Sequence, residues 1–251
     1  KESNLSSSTT GSGNFLHENQ GIDCGSYTID GAPHNRDYFR SQLTALDSYF
    51  RSVSYGKFGI DLEGSSIYPL EQDSSFILDK EMSYYNPFLP LINQDSQYNL
   101  QEKRLTELFR DGLMISNEVG QINYSNYDLI VIFHAGIGQD FSLPFLDPTP
   151  EDIPSTFVDN QMIQDHLNAP SILIDGYNIE NGIILPETQN HLLYDISISM
   201  FGESSDPCDY QYGLTGTFAL LVGYAIGLPP LWNIENGESR IGTFGLMDQG
   251  S

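Results

Sequence analysis

The stretch Leu220-Leu-Val-Gly-Tyr-Ala-Ile-Gly-Leu-Pro-Pro-Leu-Trp232 decides how the rest of the chain is read. Its first half belongs to a largely apolar run over 214–226. Such a run, apolar all round, reads as a buried helix. Gly227 follows the last helical residue, where a glycine readily ends a helix. The stretch is also chemically bare, because no His or Glu lies between Gly213 and Ile234.

Working outward, residues 227–251 form a glycine-punctuated loop. Upstream, Phe39, Leu43, Leu46, Phe50 and Val53 share one helical face over 36–55, with Asn35 placed as N-cap and Gly56 as stop. Phe58, Ile60 and Leu62 alternate, which predicts a half-buried strand over 57–62, extending through 66–70. Residues 73–98 look irregular. A second long helix is expected over 99–119, with Leu105, Leu108, Phe109 and Leu113 on one stripe. The β-branched and aromatic run 128–134 predicts a central strand. Residues 140–160, rich in Pro and acids, predict a long surface loop. Two strands, 171–174 and 179–185, are expected around an Asp175-Gly176 turn, and 192–201 reads as helix or strand. Residues 1–14 are Ser/Thr/Gly-rich and read as a flexible arm or linker. Residues 15–251 then make one α+β (mixed α/β) domain. We expect its natural chain to continue beyond Ser251.

The chain has 251 residues, 10 basic against 34 acidic side chains and a net charge of −24. That surface repels phosphate backbones, so nucleic acid is excluded as a partner. No apolar run approaches the ~20 residues that span a bilayer. Cys24 and Cys208 are the two cysteines, and no CxxC spacing points to zinc or redox chemistry. They are either one long-range disulfide in an oxidising compartment or two free thiols. The composition, low in Lys and rich in Tyr, Ser, Asn and Gly, suits a secreted or extracellular protein.

Motif tests are mostly negative. There is no phosphate-cradling GxxxxGK[ST] loop and no GxSxG elbow. Gly136-Ile-Gly138 follows a strand, but Phe141 occupies the place of the third glycine of a dinucleotide fingerprint. The acidic loop bearing Asp147, Glu151 and Asp152 offers carboxylates to calcium, against the simpler expectation of a solvated loop. No two of the five histidines stand at i, i+4. His134 ends the central strand, and Glu187 is a carboxylate on an expected loop.

The 220–232 stretch resembles the active-site helix and turn of the immune inhibitor A family of secreted zinc metallopeptidases. That family carries HExxHxxGxxD there. Gly227-Leu-Pro229 sets the register, and 241–251, with Met247, looks like the family's methionine turn. Ser48-Tyr-Phe-Arg-Ser-Val-Ser-Tyr-Gly-Lys-Phe58, Tyr84-Tyr85 and Tyr127-Asp-Leu-Ile-Val-Ile-Phe-His-Ala-Gly136 resemble further family blocks in the same order. The resemblance implies a zincin-like domain with a mixed sheet, flanked by the 36–55 and 99–119 helices, the 214–226 helix beneath it and a Met-turn. It places the first zinc ligand at Leu220, the general base at Leu221, the second ligand at Tyr224 and the third at Pro230. Zinc must be held and its water activated by these groups together. The expectation is therefore a pseudo-peptidase that has kept the structural Gly227, Pro229 and Met247 and lost the chemistry. It would take no zinc and no other cofactor, calcium excepted, and would bind an unidentified protein or self-assemble at the cell surface. Two alternatives stand beside it. One is an active metal-dependent hydrolase with its metal relocated among His134, His166 and His191. The other is a structural subunit of an extracellular assembly.

Overall fold

The computed structural model describes residues 13–87, 94–140, 149–194, 206–233, 236–248 and 250. Helix α1 runs Arg36–Val53, α2 Met82–Tyr85, α3 Gln94–Gly120, α4 Asn160–Leu167 and α5 Thr215–Ala225. The strands are β1 Val131–Ile137, β2 Thr156–Val158, β3 Ile172–Ile174, β4 Tyr177–Ile179 and β5 Gly182–Thr188. β5 is the centre of a mixed three-stranded sheet, parallel to β1 and antiparallel to β2. β3 and β4 form a separate hairpin about Asp175-Gly176.

The period of two along β5 sorts the core. Ile183 and Leu185 pack with Leu46 and Phe50 of α1 and Phe218, Leu221 and Val222 of α5. Ile184 faces the other way, into a cluster with Leu105, Leu108, Phe109 and Leu113 of α3. The sheet is thus a middle layer, with α1 and α5 on one face and α3 on the other. Gly182 is obligatory in that packing, since a Cβ there would come 2.2 Å from the Phe109 ring.

The helix ends follow their sequence signals. Asn35 Oδ1 accepts from the backbone N–H groups of Asp37 and Tyr38 at 3.1 and 3.2 Å, capping α1. At the end of α5, Gly227 has φ +86°. The Leu228 N–H reaches Gly223 O and the Gly227 N–H reaches Tyr224 O, both at 2.9 Å. This paired closure requires a left-handed residue at position 227, which glycine supplies without strain.

Several sequence expectations are corrected. Residues 57–62 are not a strand. The Phe58 N–H bonds Ser54 Oγ at 2.9 Å and the Ile60 N–H bonds Asp47 Oδ1 at 2.7 Å. These donors are spent on α1, leaving no ladder for a neighbouring strand. Val53 lies on the exposed side of α1. Residues 73–98 contain α2 and the start of α3. The 140–160 segment is not simply a surface loop, for Thr149, Asp152, Ile153 and Val158 are buried and β2 completes the central sheet. The expected strand 179–185 is two strands in different sheets, parted at Glu180-Asn181. Within 192–201, residues to Tyr194 form a 3-10 turn, and 195–201 lie outside the described residues. The arm 1–14 is described only at Gly13 and Asn14, both exposed, while Leu16 beyond it is buried.

Cys24 and Cys208 form a disulfide across a sequence separation of 184 residues. Among the described residues, no helix is long and apolar enough to cross a membrane.

Candidate functional site

α5 carries the residues that the resemblance singles out. Leu220 and Tyr224, one helical turn apart, share a face. Leu220 lines an open cleft of about 260 Å³ with Trp232, Gly237 and Asp248. The Tyr224 ring meets the Trp232 indole edge-on at 6.0 Å and stacks with Phe157 of β2 at 6.2 Å. Leu221 faces the core instead, buried with Phe218 and Val222. Pro230 is half-buried in the loop beyond Gly227, and Pro229 is exposed.

Met247 lies directly under α5. A Cβ on Gly223 would come 2.5 Å from the Met247 sulfur, so this approach needs glycine at 223. The Met247 carbonyl accepts from the Leu231 N–H at 2.7 Å, tying the two loop segments together.

These residues do not fit zinc. The ion takes imidazole, thiolate or carboxylate donors. Leu220 and Pro230 have no donor side chain. The Tyr224 hydroxyl is pushed up to about 12 by burial, so it holds its proton at neutral pH. Leu221 has no group with which to take a proton from water.

Asp248, next to Met247, was not singled out in the sequence. It is 5% exposed. Its Oδ2 accepts from Ser239 Oγ at 3.1 Å and from the backbone N–H groups of Arg240, Ile241 and Gly242 at 2.7, 2.5 and 3.1 Å. Burial raises the carboxyl's pKa, but these donors outweigh it and hold the group below the usual carboxylate range. Oδ1 is buried and has no hydrogen-bond partner among the described residues.

A second polar centre sits at the C-terminal ends of the parallel strands β1 and β5. Glu187 is fully buried within β5, not on a loop as the sequence suggested. Its Oε2 accepts from the Leu16 N–H at 2.8 Å and lies 2.5 Å from His34 Nδ1. Its Oε1 accepts from the Gly136 N–H at 2.6 Å and from the Tyr194 hydroxyl. The Tyr38 hydroxyl donates to the Glu187 carbonyl at 2.6 Å. Burial first, and the nearby carboxylates next, push the hydroxyls of Tyr38 and Tyr194 far up. They remain donors at any ordinary pH. Every oxygen of Glu187 is engaged by protein, so the cluster works as a clasp on residues 16, 34, 38, 136 and 194.

The histidines of the relocated-metal alternative are dispersed. His134 is buried, with Nδ1 2.8 Å from Ala135 O and Nε2 3.0 Å from Ile153 O. Burial lowers its pKa. His166, on α4, lies 3.4 Å from Glu102 of α3. His191 is buried in the 3-10 turn. Among the described residues, no group of three or more His, Cys, Asp or Glu could hold a metal ion. Of the calcium candidates, Asp147 lies outside the described residues, Glu151 is half-buried and Asp152 is fully buried. The Asp152 carbonyl accepts from Asn86 Nδ2 at 2.6 Å.

No family model, no curated protein and no solved structure matches the chain.

Proposed function

We propose that the chain is a secreted, metallopeptidase-like domain without peptidase chemistry, whose α5 cleft serves binding. The observation that carries this reading is the pairing of kept geometry with lost donors. α5 closes at Gly227 with Met247 packed against Gly223, which agrees with what the resemblance implies, and Leu220, Leu221, Tyr224 and Pro230 stand where the resemblance puts the reacting groups. Replacing polar metal ligands by Leu also removes groups that would otherwise need partners in a half-buried site. The Cys24–Cys208 bridge supports an oxidising compartment.

The test is elemental mass spectrometry after incubation with zinc and calcium and exhaustive dialysis, beside a broad peptide-hydrolysis assay. The expected result is zinc well below one ion per chain and no hydrolysis. One tightly held zinc per chain, or chelator-sensitive hydrolysis, would overturn the proposal and favour a relocated metal. Retained calcium would mark a structural ion and leave the reading standing.

A further inference from the structure

β1 is an edge strand, and nothing in its first half defends the edge. The sheet order is β1-β5-β2, so β1 has a paired neighbour on one side only. Its sequence, Val131-Ile-Phe-His-Ala-Gly-Ile137, holds no Lys, Arg, Asp, Glu or Pro. Its one irregularity falls between His134 and Ile137, beyond the regular pairing of Val131 to His134. Edge strands are ordinarily kept short, charged, bulged or broken by proline, because a bare row of N–H and C=O groups recruits another strand. The opposite edge obeys that rule, since β2 is only Thr156–Val158.

Hydrogen-bond parity identifies the groups left over. The Ile183 N–H of β5 reaches Ile130 O at 3.0 Å, and the parallel register runs from Val131↔Ile183 to His134↔Pro186. Ile130, Ile132 and His134 therefore turn their backbone groups toward β5, and Val131 and Phe133 turn theirs outward. Among the described residues, nothing bonds the N–H or C=O of Val131 or Phe133. Burial agrees. Ile183, Ile184 and Leu185 of β5 are 0% exposed, while Val131, Ile132 and Phe133 beside them are half-buried. Both faces of β1 are covered. The Phe133 ring meets Phe39 of α1 at 4.6 Å and Phe218 of α5 at 5.7 Å. On the other face a Cβ on Gly112 of α3 would come 2.7 Å from the Ile132 side chain. With its faces covered, β1 meets solvent along its outer edge.

Three facts narrow the guest. A strand paired there extends a sheet that carries helices on both faces, so apolar side chains suit both of its own faces. A second copy of the chain is disfavoured, because pairing β1 with β1 brings together two molecules of net charge −24. The same charge, with exposed Asp128 just ahead of the strand, favours a guest with basic residues at its ends. We propose that the outer edge of β1, at Val131 and Phe133, docks one extended apolar strand of a partner polypeptide, flanked by Lys or Arg, which adds to the sheet through main-chain bonds. Its occupancy depends neither on the α5 cleft nor on zinc.

The probe is the dye-labelled peptide Arg-Val-Thr-Val-Ile-Val-Arg-amide, titrated into the full chain at low salt and followed by fluorescence anisotropy. One counterpart carries Glu in place of both Arg, and another carries Pro in place of two adjacent central residues. The expected result is saturable binding of the first peptide, about tenfold weaker binding with Glu ends and none with the prolines. Amide hydrogen exchange, read residue by residue by NMR, locates the bound strand. In the free chain the Val131 and Phe133 amides should exchange faster than those of Ile132 and His134. With peptide bound, Val131 and Phe133 should slow about tenfold or more while Ile132 and His134 stay as they were. General stabilisation would not produce that alternation. Val131→Pro removes an outward donor that β5 does not use, so it should abolish binding and leave the Ile132 and His134 amides protected. No saturable binding, binding without the alternating protection, or binding that survives Val131→Pro would each overturn the proposal. So would Val131 and Phe133 amides already protected in the free chain, whether by its own residues or, with a doubled mass in light scattering, by a second copy.

Discussion

Two carboxylates in this molecule are almost equally hidden and do opposite things. Glu187 and Asp248 are each held by several donors. At Glu187 both oxygens are engaged, by Leu16, His34, Gly136 and Tyr194, and the result is a closed clasp. At Asp248 one oxygen takes four donors and the other, among the described residues, takes none. Burial and charge alone would rank Glu187 as the better candidate for chemistry. Hydrogen-bond accounting separates them, because Glu187 has both oxygens in use while Asp248 keeps one in reserve.

The largest expected effect comes from loosening the clasp. Glu187→Gln removes the charge and puts an NH₂ group in place of one oxygen, where one backbone N–H, of Leu16 or of Gly136, now points. It should cost about 3–5 kcal/mol, the range for breaking a buried charged network. Urea unfolding checks it. A cost below about 1 kcal/mol would mean that Glu187 is not a structural fastening, and the contrast with Asp248 would collapse.

Next in size is the disulfide. Cys24→Ser with Cys208→Ser should lower stability by about 2–5 kcal/mol, since the bridge closes a loop of 184 residues. The denaturation midpoint of the reduced wild-type chain should match that of the double variant.

The two leucines of α5 then separate core from cleft. Leu221→Ala should cost about 2–4 kcal/mol, being buried among Phe218, Val222 and Leu185. Leu220→Ala, half-buried beside the cleft, should cost about 1 kcal/mol or less. Equal losses would mean that Leu220 is core and that no cleft opens there.

The smallest effect is one of pH. Burial lowers the His134 pKa, so the unfolded chain binds a proton there at a higher pH than the folded one. The stability tied to the neutral ring is fully present above the unfolded value of ~6.5 and drains away as pH falls towards the lowered folded value. His134→Gln should flatten the fall in stability between pH 7 and 5, read from unfolding midpoints across that range. An unchanged slope would show that the ring gives up no such contribution on acidification.

Much of the helical framework was legible because periodicity and caps agree. Asn35, the Leu105–Leu113 stripe and Gly227 each gave a local signal that tertiary packing had no reason to override. Strand assignments fared less well where backbone donors are claimed by side chains of the preceding helix and its end. Phe58, Ile60 and Leu62 alternate as a strand would, yet Ser54 and Asp47 take the N–H groups of Phe58 and Ile60. The acid-rich stretch around Asp152 reads as solvated because composition does not reveal that Asn86 reaches in to cover it. Of the site, Leu220, Leu221 and Tyr224 were singled out by the family resemblance alone. Asp248 was not, because three of its four donors are backbone groups, and backbone groups leave no mark in composition.

The position of the Cys24–Cys208 bridge also governs how the molecule would carry tension. Force entering on one side of the bridge and leaving on the other passes through the sulfurs. The 184-residue ring holding α1, α3 and the whole sheet is short-circuited and bears none of it as extension. α5 and the Met247 loop lie outside the ring, as do residues 13–23, so these are the described segments that would carry the load. Load would therefore reach the cleft over α5 without stretching the chain that forms the sheet behind it.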